Sequence, residues 1–539
     1  MFYTKPEILN NLIYRVNSFA DGYRQNIAII GEPYIGKTSL IKALIYSDQI
    51  KRDAVIPVYL ETKIEPFEFF AKRFIKSTLY QLLQSGSLPA TPHDTVLLIE
   101  DLKSVCPKTA QICIKVLQDI ERYRWDEAFS SMMDIPAAIF EESKKRCVLI
   151  IDEFQNLINY QLKHPYGTLA KKIMIQKDTM FILLSSKNTI SHRLLSEKLA
   201  LLFGNFEKIE LGPFDATMST SFLSANIHGT VFPQGHLDFI ASFTGGKPFY
   251  IKLLSDEIER TIFSKKTASD NYDELIEIAL TEALFKKSGI LNQLFSNFLL
   301  NISEGKLLSK SVSVLLALSL ENKKQNDIVR SSRLQSRDVS KILNKLTDTD
   351  IILRNGSFYR FRDKLFCFWL ESVYLKRILS FSIDETLEEV YFKKEVNNKL
   401  RIFIQEFEKD LYYRIIDLFK LFINDVVQLN GKRHKFPLFN NVETAKESFF
   451  TSIDILATGS RVKWLCSIKK EYVTENDITE IIKSIKMKAH EYRANRNIVI
   501  CLAGINENAY LIAKDAKFWI WSMEDINILM ELYGKPHIG

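Results

Sequence analysis

A glycine-rich loop near the start of the chain combines residue types that bind phosphate. Residues 27–30 read Ile-Ala-Ile-Ile, residues 31–39 read Gly-Glu-Pro-Tyr-Ile-Gly-Lys-Thr-Ser, and an amphipathic stretch follows. Glycine lets the backbone wrap closely enough for its N–H groups to face phosphate oxygens, and a helix beginning near Lys37 adds the positive end of its dipole. The strand, the GxxxxGKT loop and the helix together predict a P-loop.

The side chains of this loop have distinct expected roles. Lys37 is expected to reach the β- and γ-phosphates, and the hydroxyl of Thr38 to bind Mg²⁺. ATP is therefore the predicted substrate and Mg²⁺ the predicted cofactor. The other members of the predicted nucleotide cradle are Gly31, Glu32, Pro33, Tyr34, Ile35, Gly36 and Ser39. The alternative is a glycine-rich turn with an incidental lysine, and an acidic motif further along the chain argues against it.

That second motif places two acids at the end of an apolar run. The run begins at Cys147 and reads Cys-Val-Leu-Ile-Ile-Asp-Glu-Phe, which puts Asp152 and Glu153 after five apolar residues. Such runs form buried parallel strands, and ligands bind where these strands end. Asp152 is expected to hold Mg²⁺ through water, and Glu153 to orient or deprotonate the attacking water. Glu153 thus favours hydrolysis over binding alone.

A third apolar run, residues 179–184, ends in two hydroxyls, Ser185 and Ser186. In P-loop ATPases with a strand inserted between the two motifs, a polar residue at this place contacts the γ-phosphate or the lytic water. Either serine is a candidate for that catalytic role. The alternative is a strand that simply ends in serine.

These motifs give the chain a resemblance to the archaeal-type ATPases of the STAND class, relatives of AAA+ proteins and of the Orc/Cdc6 initiators. Residues 211–214 read Leu-Gly-Pro-Phe and residues 245–250 read Gly-Gly-Lys-Pro-Phe-Tyr, so the resemblance covers residues 1–375. It implies an ATPase domain over 1–255 and a helical lid over 256–304, and it allows a nucleotide-dependent homo-oligomer. In that class the proline of the GGxP segment lies against adenine, a position that Pro248 matches. The alternative is an ordinary helix-start proline after a glycine turn.

The chain departs from this family at one functional position. The family carries an arginine in a Leu-Tyr-Gly-Arg segment, where this chain reads Leu-Phe-Gly-Asn over residues 202–205. Arg193 lies nearby in the sequence and could replace that arginine, although an arginine on a helix surface is the simpler explanation. Because a stabilising arginine raises the rate of phosphoryl transfer by ~10³–10⁵, we expect slow turnover.

The net charge of +7 is concentrated in one segment, since residues 305–375 carry 13 lysines and arginines against 7 acids. A compact basic module indicates a polyanion site, with double-stranded DNA the first candidate partner, and a solvated helix face is the alternative. Three helical patterns followed by β-rich pairs around Asn355-Gly356 predict a winged helix.

Four cations of this module are candidate DNA contacts. Arg337, Lys341 and Lys345 recur on one face of the third helix, and Arg354 lies on the predicted wing. Such a helix fits a major groove, and a wing cation suits phosphate or the minor groove. In the resembled family the same module commonly packs on the lid and transmits the switch, which leaves a protein ligand as the alternative partner.

Residues 376–400 are polar and acidic and are predicted to be a linker, and residues 401–539 follow with a mixed α/β order. That order resembles the PD-(D/E)XK restriction-endonuclease-like domain appended to many archaeal-type ATPases. A nuclease of this type holds Mg²⁺ with an Asp and a Glu and uses a nearby Lys. Asp454 and Lys469 match, but Ser467 stands where the Glu is needed, and a solvated Glu408 is a weak substitute. The resemblance therefore implies a degenerate site used for binding.

Composition places the chain among ordinary globular proteins, with 46% apolar and 25% charged residues. Its six cysteines form no CxxC pair, which argues against a zinc site or a disulfide framework. We expect a cytoplasmic protein without a membrane partner, since no run reaches the ~18 apolar residues of a membrane helix and the first residues lack a signal-peptide pattern. The expected fold is α/β: a P-loop ATPase domain with a helical lid, a winged helix and a C-terminal restriction-endonuclease-like α/β domain.

Two functions fit these patterns. The first is a STAND-type switch ATPase that hydrolyses ATP slowly and couples hydrolysis to the winged helix and to a nuclease-like effector or binding domain. The second is an ATP-gated DNA-cleaving enzyme in defence or genome maintenance. Ser467 favours the first function, because serine cannot supply the missing negative charge at a metal site.

Overall fold

The computed structural model describes residues 5–85, 94–195, 206–228, 230–265, 271–302, 308–320, 323–380, 385–444, 454–492 and 494–538. The described residues fold into two compact units. The first contains the chain up to Phe214 together with Lys247–Phe249 and Asp348–Asp350. The second contains Asp215–Gly246, Tyr250–Thr347 and the chain from Ile351 onward.

A five-stranded parallel sheet forms the centre of the first unit. Its strands are β1 (Asn26–Ile30), β2 (Val55–Glu61), β3 (Arg146–Asp152), β4 (Thr179–Ser185) and β5 (Phe206–Glu210), in the order β2-β3-β4-β1-β5. Every residue of β1 and β4 is buried, which explains why these strands read as unbroken apolar runs. The predicted α/β class with a parallel-sheet P-loop core is confirmed.

Helices cover both faces of this sheet. They are α1 (Pro6–Ala20), α2 (Lys37–Ile45), α3 (Phe67–Ser85), α4 (Thr95–Lys103), α5 (Pro107–Glu121), α6 (Trp125–Met132), α7 (Ile135–Ser143), α8 (Pro165–Ile175) and α9 (Asn188–Arg193), with a 3₁₀ segment at Phe154–Asn159. One buried cluster joins α1 and α2 to one set of strand residues, and a larger cluster joins α3–α8 to the alternate set. The sheet therefore lies between two apolar layers, and its carboxyl edge is left for polar residues.

The second unit begins with a group of helices. These are α10 (Ala216–Asn226), α11 (Gln234–Phe243), α12 (Pro248–Lys265), α13 (Tyr272–Leu280) and α14 (Ile290–Ile302), with a π-helical segment at Thr281–Phe285. The boundary expected between residues 255 and 256 falls inside α12, and the division into an ATPase domain and a lid stays a prediction. Pro248 sets the start of that helix at its first turn, where a missing N–H costs nothing.

The basic segment contains three helices followed by a hairpin, as its pattern predicts. The elements are α15 (Leu308–Ser319), α16 (Gln325–Ser332), α17 (Ser336–Asp348), β6 (Ile352–Asn355) and β7 (Phe358–Phe361). Gly356 has a φ of 58°, which a tight hairpin turn requires and which glycine adopts without strain. After the hairpin come α18 (Lys364–Trp369), a π-helical segment at Leu370–Tyr374 and α19 (Leu375–Leu379).

The stretch 376–400, predicted to be a linker, is mostly helical. Helix α20 (Glu385–Glu408) buries Phe392, Val396 and Leu400, which recur every four residues on one face. The ring of Phe392 lies 5.4 Å from that of Phe285, and Glu389 pairs with Lys286 at 2.9 Å. Acidic residues favour a helix N-terminus as well as a solvated linker, so the same composition is compatible with the predicted linker and with the observed helix.

A second helix follows α20 after a short break. A new helix, α21 (Leu411–Lys420), begins after Asp410, whose carboxylate accepts the backbone N–H of Tyr412 at 2.9 Å. This N-cap satisfies one of the donors left free at a helix start and separates α21 from α20.

A mixed five-stranded sheet follows. A hairpin of β8 (Asp425–Leu429) and β9 (Lys432–Phe436) precedes β10 (Asn441–Thr444), β11 (Ile455–Thr458), β12 (Lys463–Lys469), α22 (Glu475–Tyr492), β13 (Arg496–Cys501), α23 (Glu507–Asp515), β14 (Trp519–Ser522) and α24 (Met523–Leu532). The sheet order is β10-β11-β12-β13-β14, antiparallel from β10 to β12 and parallel from β12 to β14. In the part of the chain that the structure describes, no helix combines the length and apolar character needed to cross a membrane.

Candidate functional site

The glycine-rich loop follows β1 and leads into α2 at the carboxyl edge of the parallel sheet. Its first glycine, Gly31, donates its N–H to the carbonyl oxygen of Ser185 at 3.1 Å. A Cβ at Gly31 would lie 2.5 Å from the carbonyl oxygen of Leu211, so a side chain there would displace backbone. Gly36 has a φ of 93° at the N-terminus of α2, a conformation that glycine adopts freely. The two glycines thus serve the close backbone packing that a phosphate-binding loop needs.

Lys37 lies buried within this loop. Its Nζ donates to the carbonyl oxygens of Gly31 and Glu32, each at 2.8 Å. Burial lowers the pKa of Lys37, although the nearby carboxylates, Glu153 foremost, act in the opposite direction. Because burial disfavours the charged ammonium, a phosphate group at the loop would stabilise it. The lysine is therefore positioned for an anion.

Thr38 and Asp152 meet at the same edge. The Thr38 hydroxyl donates to Oδ2 of Asp152 at 2.9 Å, and the Tyr59 hydroxyl donates to the same oxygen at 2.8 Å. Burial raises the pKa of Asp152, and the hydrogen bonds from Tyr59 and Thr38 oppose that rise. A hydroxyl and a carboxylate side by side are the hard oxygen donors that Mg²⁺ prefers, so these residues fit the predicted metal.

Glu153 is held by donors on both sides. Its Oε2 accepts the Ser186 hydroxyl at 2.6 Å, the Ser186 backbone N–H at 3.2 Å and Nε2 of Gln155 at 2.5 Å. The backbone of Glu153 has a φ of 55°, in the left-handed region that non-glycine residues seldom occupy. Strained backbone of this kind is frequent at functional sites. The carboxylate is thereby fixed beside Asp152.

The two candidate serines differ in burial and in their hydrogen-bond partners. Ser185 is fully buried, and its hydroxyl donates to Oε1 of Gln155 at 2.6 Å and accepts the Ser191 hydroxyl at 2.5 Å. Ser186 is partly exposed and contacts Glu153 directly. Ser186 thus contacts Glu153 directly, whereas Ser185 is linked to Glu153 through Gln155, and a catalytic role for either serine stays a prediction.

The Gly-Gly-Lys-Pro-Phe segment contributes three residues to the first unit. Pro248 lies close to the loop, since a Cβ at Gly36 would be 3.9 Å from its Cγ. The rings of Phe249 and Tyr34 stack with centroids 5.2 Å apart. Lys247, nearly fully buried, lies 3.5 Å from the carboxylate of Glu32. Pro248 thus lies beside the P-loop, whereas its contact with adenine stays a prediction.

Sequence reasoning missed the residues that β2 brings to the site. Tyr59 donates to Asp152, and Thr62 donates its hydroxyl to the Asp152 carbonyl oxygen at 3.0 Å. Gln155, which links Glu153 to Ser185, was missed as well. The only signal was position: Tyr59 lies near the carboxyl end of β2, and Thr62 and Gln155 follow β2 and β3, at the edge where ligands of such sheets bind.

The arginine of the resembled family has no counterpart described at its usual place. Residues 202–205 lie outside the described residues. Arg193 is exposed in the last turn of α9, as an arginine on a helix surface would be. The role of this arginine stays a prediction.

The basic module presents one cationic helix face. Arg337, Lys341 and Lys345 are exposed on α17, and its opposite face is buried. Arg354 is exposed on the hairpin, with its guanidinium 5.5 Å above the ring of Tyr359. These four cations are accessible for the predicted contacts, which stay predictions.

The tip of the hairpin is bonded to β8. The Ser357 N–H donates to the carbonyl oxygen of Val426 at 2.9 Å. Asn355 and Gln428 exchange two hydrogen bonds, of 3.0 and 2.7 Å, between the asparagine amide and the glutamine backbone. The turn that would enter a minor groove in a winged helix is therefore already covered by the same chain.

The predicted nuclease residues lie together at one end of β12. The carboxylate of Asp454 accepts the Ile468 N–H at 2.6 Å, and burial raises its pKa while the charge of Lys469 opposes the rise. Ser467 is fully buried on the same strand, and Glu408 is exposed at the end of α20. Among the described residues, no group of three or more His, Cys, Asp and Glu side chains is arranged to hold a metal ion.

Comparisons with known proteins agree with the nucleotide-site geometry. A family model described as "AAA domain" matches residues 20–194, a stretch that contains the P-loop, Asp152, Glu153 and both serines. These residues are thus similar to an AAA domain. No curated protein sequence gives a significant match.

Several solved structures are similar at low identity. A Walker-type ATPase of Pyrococcus abyssi is 14% identical, with 67% of this chain and 94% of that chain covered and a TM-score of 0.45. The ORC2 protein of Aeropyrum pernix in ADPNP and ADP complexes is 12% identical, with coverages of 74% and 93% and a TM-score of 0.42. Cdc6p of Pyrobaculum aerophilum is 13% identical, with coverages of 74% and 96% and a TM-score of 0.35.

Proposed function

We propose that this protein is a Mg²⁺-dependent ATPase that hydrolyses ATP slowly and uses the nucleotide as a conformational switch. The observation that carries the proposal is the convergence of Lys37, Thr38, Asp152 and Glu153 at the carboxyl edge of one parallel sheet. The AAA-domain match over the same residues supports it.

Each residue of this group has a role that its contacts support. Lys37 would exchange its two loop carbonyls for phosphate oxygens, which compensate its buried charge. Thr38 and Asp152 would hold Mg²⁺, which when bound neutralises charge on the phosphates. Glu153 would orient the attacking water and accept its proton, with Ser186 fixing the carboxylate.

Substitution of Lys37 tests nucleotide binding. Lys37→Ala removes the phosphate counter-charge and should abolish ATP binding, measured by titration with a fluorescent ATP analogue. Lys42→Ala, an exposed lysine on the same helix, is the matched control and should bind as the parent does. Equal affinity of Lys37→Ala and Lys42→Ala would contradict the proposed role of the loop.

The switch is proposed to extend to a winged helix formed by α15–α17 and the β6–β7 hairpin. The exposed cations of α17 favour double-stranded DNA as its partner. Replacing Arg337, Lys341 and Lys345 by alanine should weaken DNA binding and lower the slope of log K against log salt by roughly one unit for each contacting cation.

A matched control keeps this DNA experiment specific. The control removes three exposed cations from α4, α5 and the residue after α5: Lys103, Lys115 and Arg122. If both triple variants keep the affinity and salt slope of the parent, the helix face does not contact DNA, and a protein ligand becomes the partner to seek. Light scattering of the same samples with and without ATP tests whether the protein forms the nucleotide-dependent homo-oligomer.

The C-terminal domain is proposed to have a nuclease-like fold whose metal site is degenerate. Asp454 and Lys469 lie beside Ser467, a neutral residue where a second carboxylate is needed. We expect no cleavage of plasmid DNA with Mg²⁺ and ATP, and DNA cleavage that disappears in Asp454→Ala would establish the alternative, an ATP-gated nuclease. Ser467→Glu should raise Mg²⁺ affinity, and a folded variant without that gain would argue against the fold assignment.

A further inference from the structure

A cavity of about 340 Å³ lies within the second unit. Its walls come from α11, from β7 and α18, from α20 and from the segment that follows α24. None of the P-loop residues lines it, so it is separate from the nucleotide site. Its volume is at the lower end of the range for pockets that bind small molecules.

Aromatic rings form one side of the cavity. Phe239 and Phe243 stack with their centroids 5.0 Å apart, and Phe243 meets Phe368 edge to face at 4.9 Å. Phe403 meets Phe239 edge to face at 5.6 Å. A wall of ring faces and edges favours a flat apolar group, because aromatic rings pack best in stacked or edge-to-face pairs.

The remainder of the lining carries an excess of positive charge. The lining contains five cations and the two carboxylates of Glu371 and Glu531. One of the cations, Lys535, also lies 3.3 Å from the carboxylate of Glu406, which leaves two positive charges in excess. The cations are Lys323, Arg360, Lys364, Lys399 and Lys535. A lining that combines aromatic rings with an excess of cations favours a ligand that is both apolar and anionic.

Two of these cations, Lys364 and Lys399, have little charge compensation from nearby carboxylates. Arg360 approaches an oxygen of Glu531 at 2.6 Å, and Lys364 is 3.8 Å from the same oxygen. Burial lowers the pKa of Lys364, the carboxylate of Glu531 opposes that shift, and the charge of Arg360 adds to it. The side chain of Lys399 makes no hydrogen bond or ion pair with any residue in the described part of the chain. A partly buried cation without a close anion is costly, and a bound anion would remove that cost.

We propose that this cavity binds a small aromatic phosphomonoester, with the ring against Phe239 and Phe243 and the phosphate paired with Lys364 and Lys399. A phosphomonoester carries about −1.5 to −2 charges at neutral pH, which matches the cationic excess better than a single carboxylate does. The site is independent of ATP hydrolysis at the P-loop.

Calorimetric titration of the full chain tests this assignment. Lys37→Ala serves as the background, because it removes nucleotide binding at the P-loop. The probes are AMP, phenyl phosphate and inorganic phosphate. AMP and phenyl phosphate should both bind at least tenfold more tightly than inorganic phosphate. If AMP binds more tightly than phenyl phosphate, the ligand of the cavity is a nucleotide. If the two esters bind equally, the cavity accepts aromatic phosphomonoesters in general.

Charge variants locate the binding to the cavity. Replacing Lys364 and Lys399 together by glutamine should weaken the aromatic esters about tenfold or more, the loss expected for charge-assisted hydrogen bonds. Lys514→Gln, on the exposed face of α23 and outside the cavity, should leave affinity unchanged. Lys399→Gln alone loses no ion pair of the described structure and keeps the test valid if the double variant does not fold. Absence of binding, binding of inorganic phosphate as tight as that of the esters, or affinity unaffected by these variants would overturn the proposal.

Discussion

Replacing Glu153 by glutamine should separate ATP binding from ATP hydrolysis. Oε2 of Glu153 accepts the Ser186 hydroxyl at 2.6 Å and the Gln155 amide at 2.5 Å. Glutamine has the same length and keeps one carbonyl oxygen that can accept both donors. We therefore expect Glu153→Gln to fold and to bind ATP as the parent does, while it loses the charge and basicity that act on water.

The size of the effect follows from the role assigned to the carboxylate. General acid–base catalysis contributes typically ~10²–10⁴-fold, which is about 3–5 kcal/mol of activation free energy at ~1.4 kcal/mol per tenfold. Turnover should fall by a factor in this range. Since turnover is expected to be slow already, single-turnover measurements are needed to quantify the remaining rate.

Phosphate release at saturating ATP and Mg²⁺ gives kcat, and titration with a fluorescent ATP analogue gives Kd. Glu121→Gln, at the exposed end of α5, makes the same chemical change on a surface helix and is the matched control. A Glu153→Gln variant that binds ATP and turns over within twofold of the parent and of Glu121→Gln would refute the role of Glu153.

Three further perturbations test the surroundings of this carboxylate. Ser186→Ala removes a 2.6 Å hydrogen bond to it, so kcat from phosphate release should fall by roughly 10–100-fold at unchanged ATP affinity; unchanged kcat would place Ser186 outside the mechanism. Tyr59→Phe removes a hydrogen bond that opposes the raised pKa of Asp152, so that pKa should rise further. Because Mg²⁺ needs the ionised carboxylate, Mg²⁺-dependent ATP binding should be lost as pH falls through this pKa. In Tyr59→Phe the loss should begin at a higher pH than in the parent. Identical pH profiles of the Kd for ATP in the two proteins would contradict this. Gly31→Ala puts a methyl group 2.5 Å from a backbone carbonyl oxygen and should lower the melting temperature, whereas Gly167→Ala in α8, where the nearest atom is 3.8 Å away, should stabilise by up to about 1 kcal/mol. Calorimetry that ranks the two glycine variants in the opposite order would contradict that reasoning.

The sequence by itself determined the features that rest on contiguous residues. The apolar runs before Gly31 and Asp152 became β1 and β3, because a strand buried on both faces needs an unbroken apolar run. The turn at Asn355-Gly356 became a hairpin because Gly356 can adopt a positive φ. In each case the signal and the structure lie within the same few residues.

Tertiary structure decided which polar residues face the reacting groups. Ser185 ends β4 and Ser186 follows it, and only the packing of the sheet shows that Ser185 is buried behind Gln155 while Ser186 contacts Glu153. Tyr59 reaches Asp152 because β2 lies beside β3. Strand order is a property of the whole sheet, so no local sequence pattern predicts these contacts.

Tertiary structure also decided which segments pack against helix α20 and against the β6–β7 hairpin, which the sequence does not indicate. The stretch that composition marked as a linker contains a packed helix, in which Phe392 lies against the rings of Phe285 and Phe368. The predicted wing is bonded at its tip to Val426, a residue of a strand much later in the chain. Contacts between distant segments decide whether a helix face or a hairpin edge is exposed to solvent, binds nucleic acid or packs against its own chain. The free energy of those contacts is set only when the whole unit packs.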